Sequence, residues 1–534
     1  MTIIDSDLLS IQQARILAEN AHAAQQYLAE FSQEKLDSIV EHIAEELEQR
    51  TAEFARMSVD ETEYGNWRHK LAKNNFVCGF ARRAFRDMRC VGVLSEDRGK
   101  KTVDIGVPVG VIAALCPATS PVSTTIYKAL IAIKSGNAIV FSPHPRARKT
   151  IGAVLDCMIE TGRKHGLPDG ALSYLHTVAA GGTRELMQHE HVDLVLNTGV
   201  PGMLEAARTS GKAFIYGGAG NVPVFIERTA DITQAVHDII VSKIFDNGVV
   251  SAAEQSIVVD SCIAAEVRQA FAANGAYFMS DDESARVAAL LYTPQNTLNH
   301  DCIGQPATVI AQKAGFQVPA GTCVLVAERS YISEFDIYTR EKLSPVLSFY
   351  IEPDWMHACE KCIELLLNER CGHTLVIHSN DARVVNLFAL KKPVGRVLVN
   401  TPAVFGCMGA TTNLFPSMTL GSGSAGKGYT SDNISPLNLI YVRKVGYGVR
   451  TAEAASVDIL PGGAEPASPV AGTESVSALS GVAHTSAAAV ASASVECGAV
   501  SSNTQGSSLA DVQRILQETI AEMLAADSTH KNSN

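Results

Sequence analysis

The chain lacks any run of about 18 consecutive apolar residues, so no part of it reads as a membrane-spanning helix. Positive charge is also short: 44 Lys and Arg stand against 56 Asp and Glu, for a net charge of −12. No basic stripe exists that would neutralise a phosphate backbone, which excludes nucleic acid as a partner. The opening stretch MTIIDSDLLSIQQ carries Asp5 and Asp7 and has no basic region followed by an apolar one. A secretory signal is therefore excluded there, and a cytosolic protein is expected.

The 12 cysteines do not form a disulfide framework in such a chain and read as reduced thiols, many of them in the core. Cys359, Cys362, Cys371 and His373 have spacing that would suit zinc. However, MHACEKCIELLLNE places Ala358, Cys362, Leu365 and Leu366 at helical spacing, so an amphipathic helix with core-facing thiols is the better reading. No metal is expected.

At 534 residues the chain has room for several units of about 100–200 residues each. From about Leu8 to Val59 it is strongly helical, with Leu36, Ile39, Val40, Ile43 and Leu47 on one face, as in a helix that covers something larger. Short apolar runs then alternate with helical stretches. Residues 109–115, 138–141, 192–196 and 222–226 are the runs, and Ser123–Lys134 and Thr150–His165 are helices between them. Buried strands separated by amphipathic helices imply βαβ units and a parallel sheet. A second α/β series runs from Asp231 to about Phe415, with strands near 257–259, 323–326, 375–377 and 397–399. The late strand at 437–442 has no sequence neighbour to pair with, and pairing across a domain or subunit boundary is expected.

After Arg450 the composition shifts to Ala, Ser, Gly, Val and Thr, which cannot bury enough apolar surface to offset chain ordering. Residues 451–507 read as a flexible linker. Beyond it, SSLADVQRILQETIAEMLAAD puts Leu509, Val512, Ile515, Leu516, Ile520, Met523 and Leu524 on one stripe, and Ser508 with Asp511 resembles a capping box. The apolar face of so short and isolated a helix needs a partner. Folding back onto the body or capping an oligomer is the alternative to docking elsewhere.

Two segments carry candidate chemistry. In LVLNTGVPGMLEAA a strand ends near Asn197, Gly199 and Gly202 follow, and a helix begins near Leu204. Such a turn lets backbone N–H groups approach a phosphate, although it lacks the G-x-G-x-x-G spacing and a tight structural turn explains it equally well. In IVFSPHPRAR a strand runs into Ser142-Pro143-His144-Pro145-Arg146. That places His144 and Arg146 at the carboxyl edge of a sheet, in reach of a ribose or phosphate, or simply at the surface.

Taken in order, VPVGVIAALCPATSPVSTTIYKALIAIKSGNAIVFSPHPRA, NTGVPGM, GGAGNVPVFI, FDNGVVSAAEQSIVVD, REKLSPVL, GHT, RVLVNTPAVFG and PSMTLGSGS closely resemble blocks of the CoA-acylating aldehyde dehydrogenases. These include the N-terminal half of the bifunctional aldehyde–alcohol dehydrogenases. The resemblance covers roughly residues 10 to 450 and leaves no room for an iron-dependent alcohol dehydrogenase half. It implies an α/β, aldehyde dehydrogenase-like fold. A Rossmann-like NAD-binding domain would occupy 1–225, with an oligomerisation hairpin near 99–112. An α/β catalytic domain would occupy 226–415. Residues 416–450 would return to the first domain and supply an oligomerisation strand.

The resemblance also implies a reaction, in which aldehyde, NAD⁺ and CoA give acyl-CoA and NADH through a cysteine thiolate. The nucleophile's position is Ser251 here. A thiol with an ordinary pKa near 8.5 is readily activated, whereas a serine hydroxyl needs an adjacent base. The matched motifs supply none, so the site should be assembled but nearly inert. With every surrounding block intact, the exchange reads as an isolated replacement, engineered or natural. Cys262, at the end of a strand outside the matched block, is the alternative nucleophile.

The backbone N–H of Ser251 with Thr119 or Ser120 forms the implied oxyanion hole, and relatives often carry Asn at the position of Ser120. Glu341 matches the glutamate that holds the nicotinamide ribose. Ser142, Pro143, His144, Arg146, Thr198, Gly199, Gly202, Met203, Gly218 and Gly220 complete the implied cofactor site. GGAGN stands where hydrolytic aldehyde dehydrogenases keep a glutamate base, which fits release to CoA. His373 lines the CoA or acyl site, or is a packed core histidine.

The implied substrate is a short aldehyde, acetaldehyde first, with propionaldehyde or a sulfonated aldehyde as alternatives. A non-catalytic scaffold is the rival from another class, and a homo-oligomer is expected. Linker and terminal helix (508–526) resemble those of enzymes packed in the lumen of bacterial microcompartments. The match is to the glycyl-radical, choline-degrading kind, where the helix is an encapsulation peptide that docks on shell or other cargo.

Overall fold

Asp5 accepts hydrogen bonds from the backbone N–H groups of Asp7 and Leu8 and opens α1 (Ser6–Leu28), and Ser32 caps α2 (Gln33–Thr62) in the same way through Lys35 N. The expected face of α2 is the buried one: Leu36, Ile39, Val40, Ile43 and Leu47 are all within the core. A short α3 (Trp67–Asn75), a π-helical turn and α4 (Arg82–Arg86) follow. An antiparallel hairpin of β1 (Gly92–Asp97) and β2 (Thr102–Pro108) comes next. The structure, a computed structural model, describes residues 5–218, 220–368, 372–452 and 454–455.

Next come β3 (Val111–Leu115), α5 (Pro121–Lys134), β4 (Ala138–Ser142), α6 (Arg148–Lys164), β5 (Leu172–Tyr174), α7 (Ala180–Gln188), β6 (Leu194–Thr198), α8 (Leu204–Arg208) and β7 (Ala213–Gly217). The five strands form a parallel sheet in the order β5-β4-β3-β6-β7, with α2 on α5 and α6, and α1 on α7. β3, β4 and β6 are buried at every position, which is why each reads as an unbroken apolar run. The order reverses between β3 and β6. In sheets of this kind ligands bind outside the carboxyl ends of the strands at that switch point.

The second α/β series comprises β8 (Val222–Ile226), α9 (Ile232–Ile244), β9 (Glu254–Asp260), α10 (Ala264–Ala273), β10 (Ala276–Phe278), α11 (Asp281–Leu291), α12 (Ala307–Lys313), β11 (Val324–Glu328), β12 (Val346–Glu352), α13 (Trp355–Asn368), β13 (Thr374–His378), α14 (Ala382–Lys391), β14 (Arg396–Val399) and α15 (Ala403–Cys407). Its seven strands form a sheet in the order β10-β11-β12-β9-β8-β13-β14. Helix α13 packs Ala358, Cys359, Cys362, Leu365 and Leu366 against Phe225, Val258 and Leu375, the amphipathic arrangement its spacing predicts. Cys371 lies outside the described residues. Among the described residues no group of three or more His, Cys, Asp or Glu has the arrangement of a metal site, and no helix is long and apolar enough to cross a membrane.

The late strand is β15 (Ile440–Gly446), displaced from the expected 437–442 because Pro436–Leu439 forms a 3₁₀ turn. It pairs antiparallel with β2 from Ile440 opposite Pro108 to Gly446 opposite Thr102, making a three-stranded sheet in the order β1-β2-β15. Its neighbour thus comes from the same chain. Residues Met1–Tyr447 form one compact unit. Apart from residues 451, 452, 454 and 455, the linker expected over 451–507 and the helix expected over 508–526, with its stripe from Leu509 to Met523, lie outside the described residues.

Candidate active site

Ser251 follows a turn, Phe245–Gly248, in which Asp246 and Asn247 both hold φ of 52°. This left-handed region is tolerated by Asp and Asn better than by most side chains, which accounts for the Asp-Asn-Gly sequence at the bend. The turn is fixed from the N-terminal helices. The wholly buried Asp246 carboxylate accepts from Asn66 N at 2.7 Å, Lys70 Nζ at 3.1 Å and Lys73 Nζ at 2.5 Å. Asp246 N donates to His69 Nδ1 at 2.8 Å. The same two lysines reach the loop after β3: Lys70 Nζ donates to Thr119 O at 2.8 Å and Lys73 Nζ to Ser120 Oγ at 2.6 Å.

Two amines therefore face one carboxylate in a dry setting. Burial alone would raise the Asp246 pKa, but Lys70, Lys73 and Asn66 outweigh it and hold it at about 2. Burial pushes Lys70 down to about 8 against the pull of Asp246, and pushes His69 down to about 4.

Ser251 lines a cleft of about 900 Å³ together with Thr119, Ser120, Thr198, Gly199, Gly218 and Glu341. Leu343, Met408, Met418 and Leu420 supply apolar wall. The first sheet contributes the carboxyl ends of β3 and β6. The second contributes segments that precede its strands, Ser251 before β9 and Glu341 before β12; Gly220 before β8 and His373 before β13 line neither space and meet behind the Ser251 carbonyl. Gly220 N donates to Glu341 Oε1 at 2.9 Å. A Cβ on Gly220 would fall on the Ser251 carbonyl oxygen and within 2.5 Å of His373 Nε2, so only glycine allows these groups to meet. His373 Nδ1 is 2.8 Å from Thr374 Oγ1, while its buried Nε2 completes no hydrogen bond among the described residues. Burial, then Arg396, drive its imidazole down to about 3, which keeps it neutral.

A second hollow of about 500 Å³ lies at the ends of β3 and β4, lined by Cys116, Ser142, Pro143, His144, Thr183, Val200 and Met203 among others. Ser142 Oγ and Thr183 Oγ1 are 2.8 Å apart. The segment 198–203 separates the two spaces, giving Thr198, Gly199 and Pro201 to the cleft and Val200 and Met203 to the hollow. Arg146 is exposed and Gly202 has open space where a Cβ would be; neither lines either space. Cys262 is an exposed thiol beyond the far end of β9, with its sulfur 3.4 Å from Asp260 Oδ1, and does not line the cleft. Sequence reasoning missed Lys70, Lys73, Asp246 and His69. The one available signal was the pair of left-handed formers, Asp246 and Asn247, before Gly248.

The sequence profile of the aldehyde dehydrogenase family matches residues 2–322. The bifunctional aldehyde-alcohol dehydrogenase of Escherichia coli K12 is 38% identical over 441 residues, which are 82% of this chain and 49% of that protein. This chain therefore spans about half the length of that relative. A crystal structure of an acetylating aldehyde dehydrogenase from Geobacillus thermoglucosidasius superposes with a TM-score of 0.81 at 39% identity, covering 84% of this chain and 99% of the other. The propionaldehyde dehydrogenase from the Clostridium phytofermentans fucose utilisation bacterial microcompartment superposes with a TM-score of 0.72 at 27% identity, covering 82% and 97%.

Proposed function

The chain belongs to the aldehyde dehydrogenase family, and on that premise we propose that its cleft is built to oxidise a short aldehyde, acetaldehyde first, to acyl-CoA with NAD⁺ and CoA. Serine stands in place of the nucleophilic cysteine. The observation that carries this reading is that Ser251, Ser120 and Glu341 line one cleft, with a second hollow across the turn from Thr198 to Met203. An acetylating enzyme among the similar structures supports CoA as the acyl acceptor.

The two spaces fit a dinucleotide. The hollow at Ser142, Pro143 and His144 suits its adenosine end, and Glu341, oriented by Gly220 N–H, suits a ribose in the cleft. When bound, NAD⁺ would take the hydride and the CoA thiol the acyl group. The chain's own residues do the rest. Because Lys73 donates to Ser120 Oγ, the hydroxyl proton of Ser120 is left to point into the cleft, where it can meet an oxyanion. Leu343, Met408, Met418 and Leu420 keep water away from that contact. Neutral His373 packs behind the Ser251 carbonyl and adds no charge. No base is hydrogen-bonded to the Ser251 hydroxyl among the described residues, so serine there is a poor nucleophile.

The test is Ser251→Cys. NADH formation that needs both CoA and a C2 to C4 aldehyde is the expected result. A variant that binds NAD⁺ and stays silent with all of them would overturn the reading. A non-catalytic role is the second reading: serine occupies both position 251 and position 120, where the family resemblance implies cysteine and often asparagine. We assign the open edge of β15, with Tyr441 48% and Val442 42% exposed, to contact with a second copy of the chain. The segment 508–526, expected from sequence as a helix and lying outside the described residues, is assigned to docking inside a microcompartment, consistent with the compartment named for one similar structure.

A further inference from the structure

Helix α14 ends at Lys391, and Lys392, extended at φ −90° and ψ 135°, turns its side chain over α13. Its Nζ lies 2.8 Å from Cys359 O and 2.6 Å from Cys359 Sγ, and 4.1 Å from the centroid of the Phe388 ring. The cysteine is 3% and the lysine 8% exposed. Among the described residues no carboxylate pairs with this amine. Its company is an aromatic face, a carbonyl and a sulfur.

The separation is the unusual feature. Hydrogen bonds from nitrogen to oxygen span about 2.7–3.2 Å, and sulfur is the larger atom, so a nitrogen–sulfur hydrogen bond should be longer still. At 2.6 Å the two atoms stand closer than any hydrogen bond requires, yet too far for a direct bond. That is the spacing of two atoms that share one small bridging atom. Among the described cysteines, Cys359 is the one whose sulfur meets an amine at such a distance. Cys362, three residues along the same helix, is buried in the same core and makes no comparable contact.

We propose that Lys392 and Cys359 form a covalent modification site, in which dioxygen joins Nζ and Sγ through one oxygen atom. In the balanced step, amine, thiol and O₂ give an N–O–S bridge and water. One oxygen atom becomes the bridge. The other leaves as water with the thiol proton and one amine proton. Sulfur and nitrogen each give up two electrons, and dioxygen takes all four. The thiol is thereby held short of the irreversible sulfinic and sulfonic stages. The bridge closes a loop of 33 residues that contains β13 and, immediately before it, His373. Oxidation therefore clamps the segment that sets His373 behind the Ser251 carbonyl, and a thiol reductant releases it.

The full chain, purified under anaerobic reducing conditions, is divided and one half exposed to dioxygen before digestion and mass spectrometry. The Cys359 and Lys392 peptides are expected to appear joined, with the summed mass plus one oxygen and minus two hydrogens, and to separate again with dithiothreitol. The joined species should persist in Cys362→Ser and vanish in Cys359→Ser and in Lys392→Arg. Three outcomes overturn the proposal: unjoined peptides with Cys359 still alkylated and Lys392 still amine-labelled after oxygen exposure, a joined species without the added oxygen, or a disulfide between Cys359 and Cys362. The wild-type measurement alone decides, whether or not the variants fold.

Discussion

Lys73 Nζ stands 2.6 Å from the hydroxyl oxygen of Ser120, and the same nitrogen reaches Asp246 Oδ2 at 2.5 Å. One buried ammonium thus joins the turn that carries Ser251 to the loop that carries Ser120. Its donation fixes Ser120 Oγ as an acceptor and leaves the hydroxyl proton to the cleft. In a Ser251→Cys background, Ser120→Ala should lower kcat/KM for the aldehyde by roughly 10²-fold, the usual cost of losing one oxyanion donor. Ser120→Asn, which offers an amide N–H, should recover much of it. Equal kcat/KM in all three would remove Ser120 from the oxyanion site.

Loss of the ammonium itself should act twice. Lys73→Met leaves the wholly buried Asp246 with fewer partners, so unfolding in urea should show a loss of about 3–5 kcal/mol, as when one member of a buried ion pair is removed. If Lys73 also positions Ser120, its effect on kcat should shrink when Ser120 is already alanine. Additive effects on kcat would confine Lys73 to a structural role.

The meeting of Gly220, Ser251 and His373 is sterically exclusive. Gly220→Ala sets a methyl group on the Ser251 carbonyl, and the neighbour is backbone, which cannot swing aside. A stability loss of about 1–3 kcal/mol is expected, with activity of the Ser251→Cys form abolished even at temperatures where the fold persists. Activity in that double variant equal to that of Ser251→Cys alone would show that the residue at 251 need not hold its place.

Dinucleotide binding can be measured without turnover. Ala180 lines the smaller hollow and is exposed at the start of α7, so Ala180→Trp should fill the hollow at little cost to folding. Titration calorimetry should show the Kd for NAD⁺ raised at least about tenfold, or about 1.4 kcal/mol. An unchanged Kd would place the adenosine elsewhere.

These residues differ in how far the sequence exposed them. β3, β4 and β6 were legible because strands buried on both faces leave unbroken apolar runs, and α2 because its stripe keeps the helical period. The existence of β15 was legible but its partner was not, since β2 lies far earlier in the chain and no turn links them. Lys70 and Lys73 were invisible for a different reason. A charged pair one helical turn apart reads as a solvated face, and only Asp246, brought in from a distant turn, makes their burial affordable. The glycines at 218 and 220 could be matched by resemblance, yet what Gly220 touches depends on two further loops.

Glu254, three residues beyond Ser251, gives a test of the buried charges behind the cleft. Its Oε1 accepts from Ala403 N at 2.9 Å and its Oε2 has no partner among the described residues. Burial raises its carboxyl from 4.5 to about 7, although Ser242, Ala403 N–H and Lys243 pull it down. The folded chain therefore holds a proton that the unfolded chain releases between pH 4.5 and 7. Stability from this group is complete below about pH 4.5 and is lost as the pH rises through 7. Lys243, driven well below its ordinary 10.5 by burial, contributes in the opposite sense but is present with or without Glu254. Glu254→Gln keeps the acceptor for Ala403 N–H and cannot ionise. Urea unfolding at pH 5, 6, 7 and 8 should show the variant gaining on the wild type as the pH rises, by up to about 3 kcal/mol. A constant difference across that range would mean that Glu254 keeps an ordinary carboxyl pKa, and that the space behind Ser251 is wetter than its burial implies.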